Sequence, residues 1–453
     1  MTSRPPFLLD HEAARRAAAP ALEDPRPDGV EVVTFASRAG LTRFASSQIV
    51  QSTERNEISL SVGVRIGTRS AAASTTLLDP GGAQAAVDRA LEAAQVAPED
   101  PDTPELADPS IVGRAPGLMR FDEATALCSP QERAAAASEM ISAAGIGDVA
   151  GFFSSGSYAY GVFNSKGIDC FDCFTRCAAA ALVDTGDATG WSEASSAGLA
   201  GVDRAEIAYR AGVKADSGRP AVMAPDEYPV VLEPAAVAEL LSYLSYAGFG
   251  AKQVIEGESF LSAGAGGRIG PPFVTVADDA AHPLSIGIGF DFEGVSRTRV
   301  AVIDKGVATG PVTDLRTASQ LSTHSTGHAS GSREFGPYAA NIVMDPGESS
   351  LEDLIGRIDE GVLVTRFHYV NVLDRPSALL TGMTRDGTFR ISGGEVAEPV
   401  RNLRFTQSAL DLLAQVISIG EKPEVISTDD GFGSTVAPAV AAAGFRFTSS
   451  TTH

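Results

Sequence analysis

"VLEPAAVAELLSYLSYAGFG", Val231 to Gly250, is the stretch on which the reading of this chain turns. Glu233 precedes Pro234, and proline suits a first helical position because its missing N–H would be unpaired there anyway. Val237, Leu240, Leu241 and Leu244 recur at helical spacing and make one apolar stripe. Gly248 and Gly250 are placed to end the helix. The pattern predicts a helix from Glu233 to Ala247 with one face in a core.

On the N-terminal side of this helix, "DSGRPAVMAPDEYPVVLEP" marks a domain boundary near Ser217. A chain of 453 residues exceeds what one compact core usually supports, so residues 1–217 and 218–453 are expected to be two domains. The first opens with a short helix around Asp10 to Ala19. Strands follow at Val30 to Ser37, Leu41 to Gln51 and Glu57 to Ile66. In "EISLSVGVRI" every second residue is apolar, which places those residues on one face of a sheet. Asp79-Pro80-Gly81 starts an Ala-rich helix, "APEDPDTPELADPS" reads as an exposed loop, and a helix spans Pro130 to Ala144. Three or four more strands run from Asp148 to Trp191, and a helix from Val202 to Lys214 closes the half. This is an α+β pattern, an N-terminal α/β domain with an antiparallel sheet.

Beyond the Glu233 helix come many short β segments between Gly-rich turns, so a β-rich, barrel-like or sandwich-like domain is expected. "RVAVIDKGVATGPV" reads as a hairpin about Lys305-Gly306. A helix from Ser408 to Ile419 precedes a Gly/Ala-rich tail.

Hydrophobic residues make up 44% of the chain, with mean hydropathy near zero, as in a soluble globular protein. With 57 acidic against 35 basic residues the formal net charge is −22. A nucleic-acid surface needs a basic footprint, and an anionic membrane repels this balance, so neither is expected as a partner. The N-terminal stretch has no signal-peptide core and no later segment is long enough to span a bilayer. Four cysteines do not make a disulfide framework in a chain this long. The expected location is cytoplasmic.

The candidate chemistry thins out on inspection. Cys170, Cys173 and Cys177 lie in a strand-like segment that sends Cys170 and Cys173 to opposite faces, and no second pair completes a zinc site, so they read as buried thiols, with Cys128 standing alone. His324 and His328, four residues apart in "LSTHSTGHASG", lie among Ser, Thr and Gly, which favours a loop over a helix. With Gly327 they read as a loop that positions backbone against a substrate or partner. His282 and His368 have no acidic or cysteine neighbour at a useful spacing. His11-Glu12 lacks a second histidine and reads as surface helix. "GAGG" at 264–267 is a turn, and no Gly-x-Ser-x-Gly elbow appears.

Several stretches, in order along nearly the whole chain, resemble the TldD/PmbA family of peptidases and their paired subunits. They are "GLTRFASSQIVQS", "EISLSVGVRIGTRSAAAST" with "LDPGG", "VFNSKGID", "DDAAHPLSIGIGFDFEGVSRTRVAVIDKGVATGPVTD", "STGHAS" and "NIVMDPGESSLEDLI". The resemblance implies an N-terminal α/β domain and a C-terminal β-rich domain. Its TldD branch carries His-Glu-x-x-x-His on the helix opening the second domain, with a C-terminal Cys as third zinc ligand. That arrangement leaves a coordination position for an activated water. Here Ser242 and Ala247 stand at the histidines, Tyr243 at the Glu, and Ser434 or Thr435 in "DDGFGSTVAP" at the Cys. No cysteine follows Cys177.

The resemblance therefore implies the PmbA/TldE side of the family, a zinc-less subunit with no cofactor of its own. It would pair with a TldD-like zinc-bearing subunit to process or degrade small unfolded peptides, the zinc expected in that partner. The family's links to DNA gyrase modulation and peptide maturation come with the resemblance alone. Two alternatives stand beside it. One is a hydrolase with a metal site rebuilt from His324, His328 and Asp291 or Glu293. The other is a homodimeric, non-catalytic peptide-binding or maturation accessory.

Overall fold

In the computed structural model, residues 8–112, 118, 120–427 and 433–450 are described. The apolar alternation of "EISLSVGVRI" belongs to a longer element than its length suggests. Strands β1 (Gly29–Ala45) and β2 (Gln48–Ile66) pair antiparallel along almost their whole length. Where three strands were expected there are two, because the chain reverses only at Ser46-Ser47. Both serines have positive φ (48° and 58°), the twist a two-residue hairpin needs. β3 (Arg69–Thr75), β4 (Asp148–Asn164), β5 (Asp169–Asp184) and β6 (Thr189–Ser196) complete a six-stranded sheet in the order β3-β2-β1-β4-β5-β6. Every pairing in it is antiparallel.

Helices His11–Leu22 and Pro80–Val96 cover one end of this sheet, burying Ala14, Ala18, Ala86 and Val87 on Val30, Val32, Leu60 and Val62. Helices Pro130–Ala143 and Arg204–Ala215 cover the other end around Phe153, Cys177 and Ala179. The first of that pair starts with a Ser129/Glu132 capping box, so its orphan N–H groups are satisfied locally.

In the second half β7 (Glu227–Leu232), β8 (Val276–Asp278), β9 (Val300–Asp304), β10 (Val307–Ala308) and β11 (Asn341–Met344) come first. β12 (Glu360–Asp374), β13 (Leu379–Ser392), β14 (Glu395–Pro399) and β15 (Leu403–Ser408) follow. Last are β16 (Val416–Ile419), β17 (Glu424–Ser427), β18 (Ser434–Ala437) and β19 (Val440–Ser450). The order β12-β7-β19-β15-β13 closes on itself through a β12–β13 pairing, giving a five-stranded barrel extended by β14 and β16. A separate six-stranded sheet runs β10-β9-β8-β11-β18-β17.

The Lys305-Gly306 hairpin forms as expected, with φ of 48° and 75° at its turn. The helix expected from Ser408 to Ile419 does not. Only Ala409–Ala414 is helical, and Val416–Ile419 is strand, its β-branched residues pairing with Val440–Ala442.

The Pro234–Gly248 helix lies between the barrel and the second sheet, touching β12 and β7 on one side and β18, β17 and β11 on the other. Its stripe, Val237, Leu240, Leu241 and Leu244, is buried in the largest core of the molecule. The N-terminal sheet meets the second half through Tyr160, Val162, Cys170 and Phe174 against Ile286, Ile288 and Phe290. No described helix is long and apolar enough to cross a membrane.

Candidate functional site

The site is built on the Pro234–Gly248 helix. Pro234 stands in its first turn, and Glu233 is the N-cap residue but makes no side-chain cap. Its carboxylate instead pairs with Lys214 Nζ at 2.5 Å, with both side chains largely buried. The start of this helix is thereby tied to the Arg204–Ala215 helix of the N-terminal half. The C-terminus departs from the glycine reading. The helix closes on Phe249 in right-handed geometry, and Gly250, φ −78°, opens the next short helix. What Gly248 supplies is space, since a Cβ there would stand 2.7 Å from the Phe260 ring.

Ser242 faces β18, and its Oγ lies 3.2 Å from Thr435 Oγ1. Ser434, one residue earlier, points the other way and accepts the Ile286 N–H at 2.9 Å. Strand alternation thus selects Thr435 as the residue opposite the helix. Ala247 is fully buried. Tyr243 is half-buried against the core and lines a cleft of about 680 Å³ with Tyr246, Glu258 and the Asn371–Pro376 end of the β12–β13 hairpin. Arg375 lies 4.9 Å over the Tyr246 ring at the rim. Asp429 to Phe432 of "DDGFGSTVAP" fall outside the described residues.

The four positions that the resemblance marks therefore present two alcohols bonded to each other, a phenol and a methyl group. Zinc in proteins is held by thiolate, imidazole or carboxylate. This donor set does not fit zinc.

His324 and His328 lie in irregular chain, as expected, but they part company. His324 is exposed. His328 is fully buried, its Nε2 3.0 Å from Asp278 Oδ1, off the direction of a well-aligned hydrogen bond, and its Nδ1 2.9 Å from Thr326 Oγ1. Gly327, φ +77°, lets the chain pass close to Ser296, whose carbonyl would stand 2.2 Å from a Cβ. Burial pushes the Asp278 carboxyl up, but the His328 imidazole, Arg297 and the Asn341 N–H more than offset it and leave it below the usual range.

Asp291 does not turn to either histidine. Its carboxylate accepts backbone N–H bonds from Glu293, Val295 and Ala329 at 2.9–3.0 Å. Among the described residues no three His, Cys, Asp or Glu side chains gather as a metal site. The residues of the rebuilt-site alternative are thus not brought together.

All four cysteines are free and buried. Cys170 contacts the Gly294 carbonyl at 3.6 Å, while Cys173 and Cys177 lie on the other face of β5. Burial raises the Cys173 thiol to about 11 and Cys177 to about 12, so neither is a ready thiolate. His11 does more than decorate a surface helix. Its ring stacks 5.4 Å from Phe171, and Nε2 meets Asp169 at 2.5 Å. His282 and His368 are both shifted down, each chiefly by burial. Sequence reading missed Lys214 and Asp278. Each finds its partner 19 and 50 residues away, and no local pattern announces such a pair.

Residues 225–449 match the family model of the PmbA/TldA metallopeptidase C-terminal domain. A metalloprotease of Methanothermobacter thermautotrophicus is 28% identical over 172 residues, 37% of each chain. A zinc metalloprotease TldD homologue of Saccharolobus solfataricus is 28% identical over 225 residues, 46% of this chain and 45% of that one. The chain thus spans under half the length of these curated relatives. Among solved structures, TldE from Thermococcus kodakarensis superposes with a TM-score of 0.84 at 20% identity, covering 97% of this chain and 99% of that one. A modulator of DNA gyrase from Thermotoga maritima gives 0.82 at 21% identity, covering 96% and 99%. These two likenesses establish a shared fold.

Proposed function

We propose that this chain, which belongs to the TldD/PmbA family, acts as the zinc-less subunit of a cytosolic TldD/TldE-like metallopeptidase complex that processes or degrades small unfolded peptides. The observation that carries the reading is the Ser242–Thr435 hydroxyl pair at 3.2 Å, with Ala247 buried on the same helix as Ser242. Where the family resemblance expects two imidazoles and a thiolate as ligands, these alcohols bond to each other. In this reading the zinc and the water it activates belong to a TldD-like partner. The present chain supplies walls of the enclosing chamber, in which a peptide lies as an added strand. The exposed His324 side of the loop faces that chamber or the subunit interface, and the buried His328–Asp278 contact holds the loop in shape.

The cleft beside Tyr243 favours one second reading, a homodimeric peptide-binding accessory without catalysis. A pull-down from the native source, with zinc and peptidase activity measured on the eluate, separates the two. The heteromer predicts co-elution with a TldD-like subunit and zinc in proportion to that subunit. A homodimer with no such subunit supports the accessory. A solitary chain carrying stoichiometric zinc and zinc-dependent peptidase activity overturns both.

A further inference from the structure

The hairpin of β12 and β13 ends beside the Pro234–Gly248 helix, and the two together wall the cleft of about 680 Å³. Arg375 to Ala378 make its turn, closed by the Ala378 N–H on the Arg375 carbonyl at 3.0 Å. Asp374 Oδ2 accepts the Ser377 N–H at 3.0 Å and braces the same turn. The backbone at Arg375 is therefore fixed, and only its side chain is free to change place. β7 pairs with β12 over Val362–Val364 alone. The edge of Asn371–Asp374 away from β13 thus has no strand partner among the described residues. Tyr243, Tyr246 and Glu258 line the same cleft.

Arg375 sits in this cleft as a ligand would. Its guanidinium lies 4.9 Å over the Tyr246 ring, and Nη2 donates to the Tyr246 hydroxyl at 3.2 Å. Nη1 stands 3.9 Å from a Glu258 carboxylate oxygen. The exposed Phe335 ring, 5.9 Å from that of Tyr246, extends the aromatic rim. A π face, a hydroxyl acceptor and a carboxylate are the three contacts that a planar cation seeks. None of them is tight here. The ion pair is at the limit of contact, and its side chains are 31% and 56% exposed, conditions under which such a pair holds weakly. Lys214 and Glu233 show the opposite case, 2.5 Å apart with both side chains largely buried. The lining also carries two carboxylates, Glu258 and Asp374, against the one cation Arg375, in a chain of net charge −22. The charge balance of the cleft therefore favours an incoming cation over an anion.

We propose that this cleft binds an arginine side chain of an extended peptide, and that Arg375 holds the guanidinium position until the peptide displaces it. The incoming guanidinium takes the place over Tyr246 and the contact with Glu258, and Arg375 turns to solvent by a change of rotamer. The peptide main chain lies along the unpaired edge of Asn371–Asp374. Lysine brings the charge without the plane or the fork, so it fits less well. An acidic residue at that position meets Glu258 and Asp374 and is rejected. The inference rests on the reading that this chain handles peptides, and is independent of which subunit it pairs with.

Fluorescence anisotropy on the purified full chain tests it with a dye-labelled octapeptide of glycine, serine and leucine around one central arginine. Two twins of that peptide carry lysine or citrulline instead, the latter keeping the shape of arginine without its charge. The arginine peptide should bind about tenfold tighter than the citrulline peptide, with lysine between them. Arg375→Ala vacates the position and should tighten the arginine peptide by about fivefold while moving the citrulline peptide by less than about twofold. Glu258→Gln should bring the arginine peptide down toward the citrulline level. Equal binding of the arginine and citrulline peptides by the wild type overturns the proposal, as does failure of all three to bind. An Arg375→Ala chain that binds the arginine peptide no more tightly also overturns it. If Arg375→Ala does not fold, Glu258→Gln decides, and an undiminished preference for arginine overturns the site. Equal binding of all three peptides removes this site and leaves the peptide-handling reading standing, while co-elution with a TldD-like subunit reads the heteromer separately.

Discussion

At the Pro234–Gly248 helix the hydroxyls are locally satisfied: the partly buried Ser242 lies 3.2 Å from the buried Thr435, and the buried Ser245 donates to the Ala339 carbonyl at 3.1 Å. In the glycine-rich run from Asp278 to His328, two carboxyl groups and an imidazole, Asp278, Asp291 and His328, are deeply buried, with Glu293 partly exposed beside them. The family resemblance directs attention to the first region, yet the ionisable groups are concentrated in the second. Neutral hydroxyls satisfy one another at little cost, so the helix packs as a core element, and the buried Glu233 at its start is paired with Lys214. Buried acids must be matched donor by donor, as Asp291 is by the backbone N–H groups of Glu293, Val295 and Ala329.

The largest break in this comparison is expected from His328→Ala. It leaves Asp278 buried without its imidazole and should cost about 3–5 kcal/mol, read as a lowered urea midpoint. On the other side, Leu241→Ala removes apolar volume from the stripe and should cost about 2–5 kcal/mol in the same measurement, without any new pH dependence. If Leu241→Ala introduced a pH-dependent loss, the separation of the two regions would fail.

A third substitution sharpens the charged side through its acid limb. The Arg316 hydrogen bond holds the Asp100 carboxyl down to about 2, joining the N-terminal half to the Leu315–Gln320 helix. A depressed carboxyl contributes stability that is present above its unfolded value and lost as pH falls toward the folded one. The wild type should therefore lose about 2 kcal/mol, before solvent screening, between pH 4 and pH 2, and Asp100→Asn should flatten that limb. The smallest effect belongs to Ser242→Ala. It strands the Thr435 hydroxyl and should cost about 1 kcal/mol with no change in metal content. A change in bound zinc on Ser242→Ala would contradict the reading of the site as zinc-less.

Much of the fold was legible because short-range patterns carry it. Period-two alternation placed β2, helical spacing placed the Val237–Leu244 stripe, and Lys305-Gly306 announced its hairpin. The misreadings occurred where tertiary pairing overrode local pattern. β1 and β2 run through expected breaks because each supports the other, and Val416–Ile419 leaves a helical run to pair with β19. The residue types at the positions that the resemblance marks, Ser242, Tyr243, Ala247 and Thr435, are legible from the sequence directly.

By itself the sequence determined which side chains stand on the Pro234–Gly248 helix and the α+β order of elements, since these depend on residue type and near neighbours. The tertiary structure alone decided that Thr435, and not Ser434, meets Ser242. It also decided that His328 is spent on Asp278 while His324 stays exposed, and that Asp291 is buried among backbone N–H donors. Those outcomes depend on which strand face and which long-range partner each group receives, and burial converts that choice into charge state and energy.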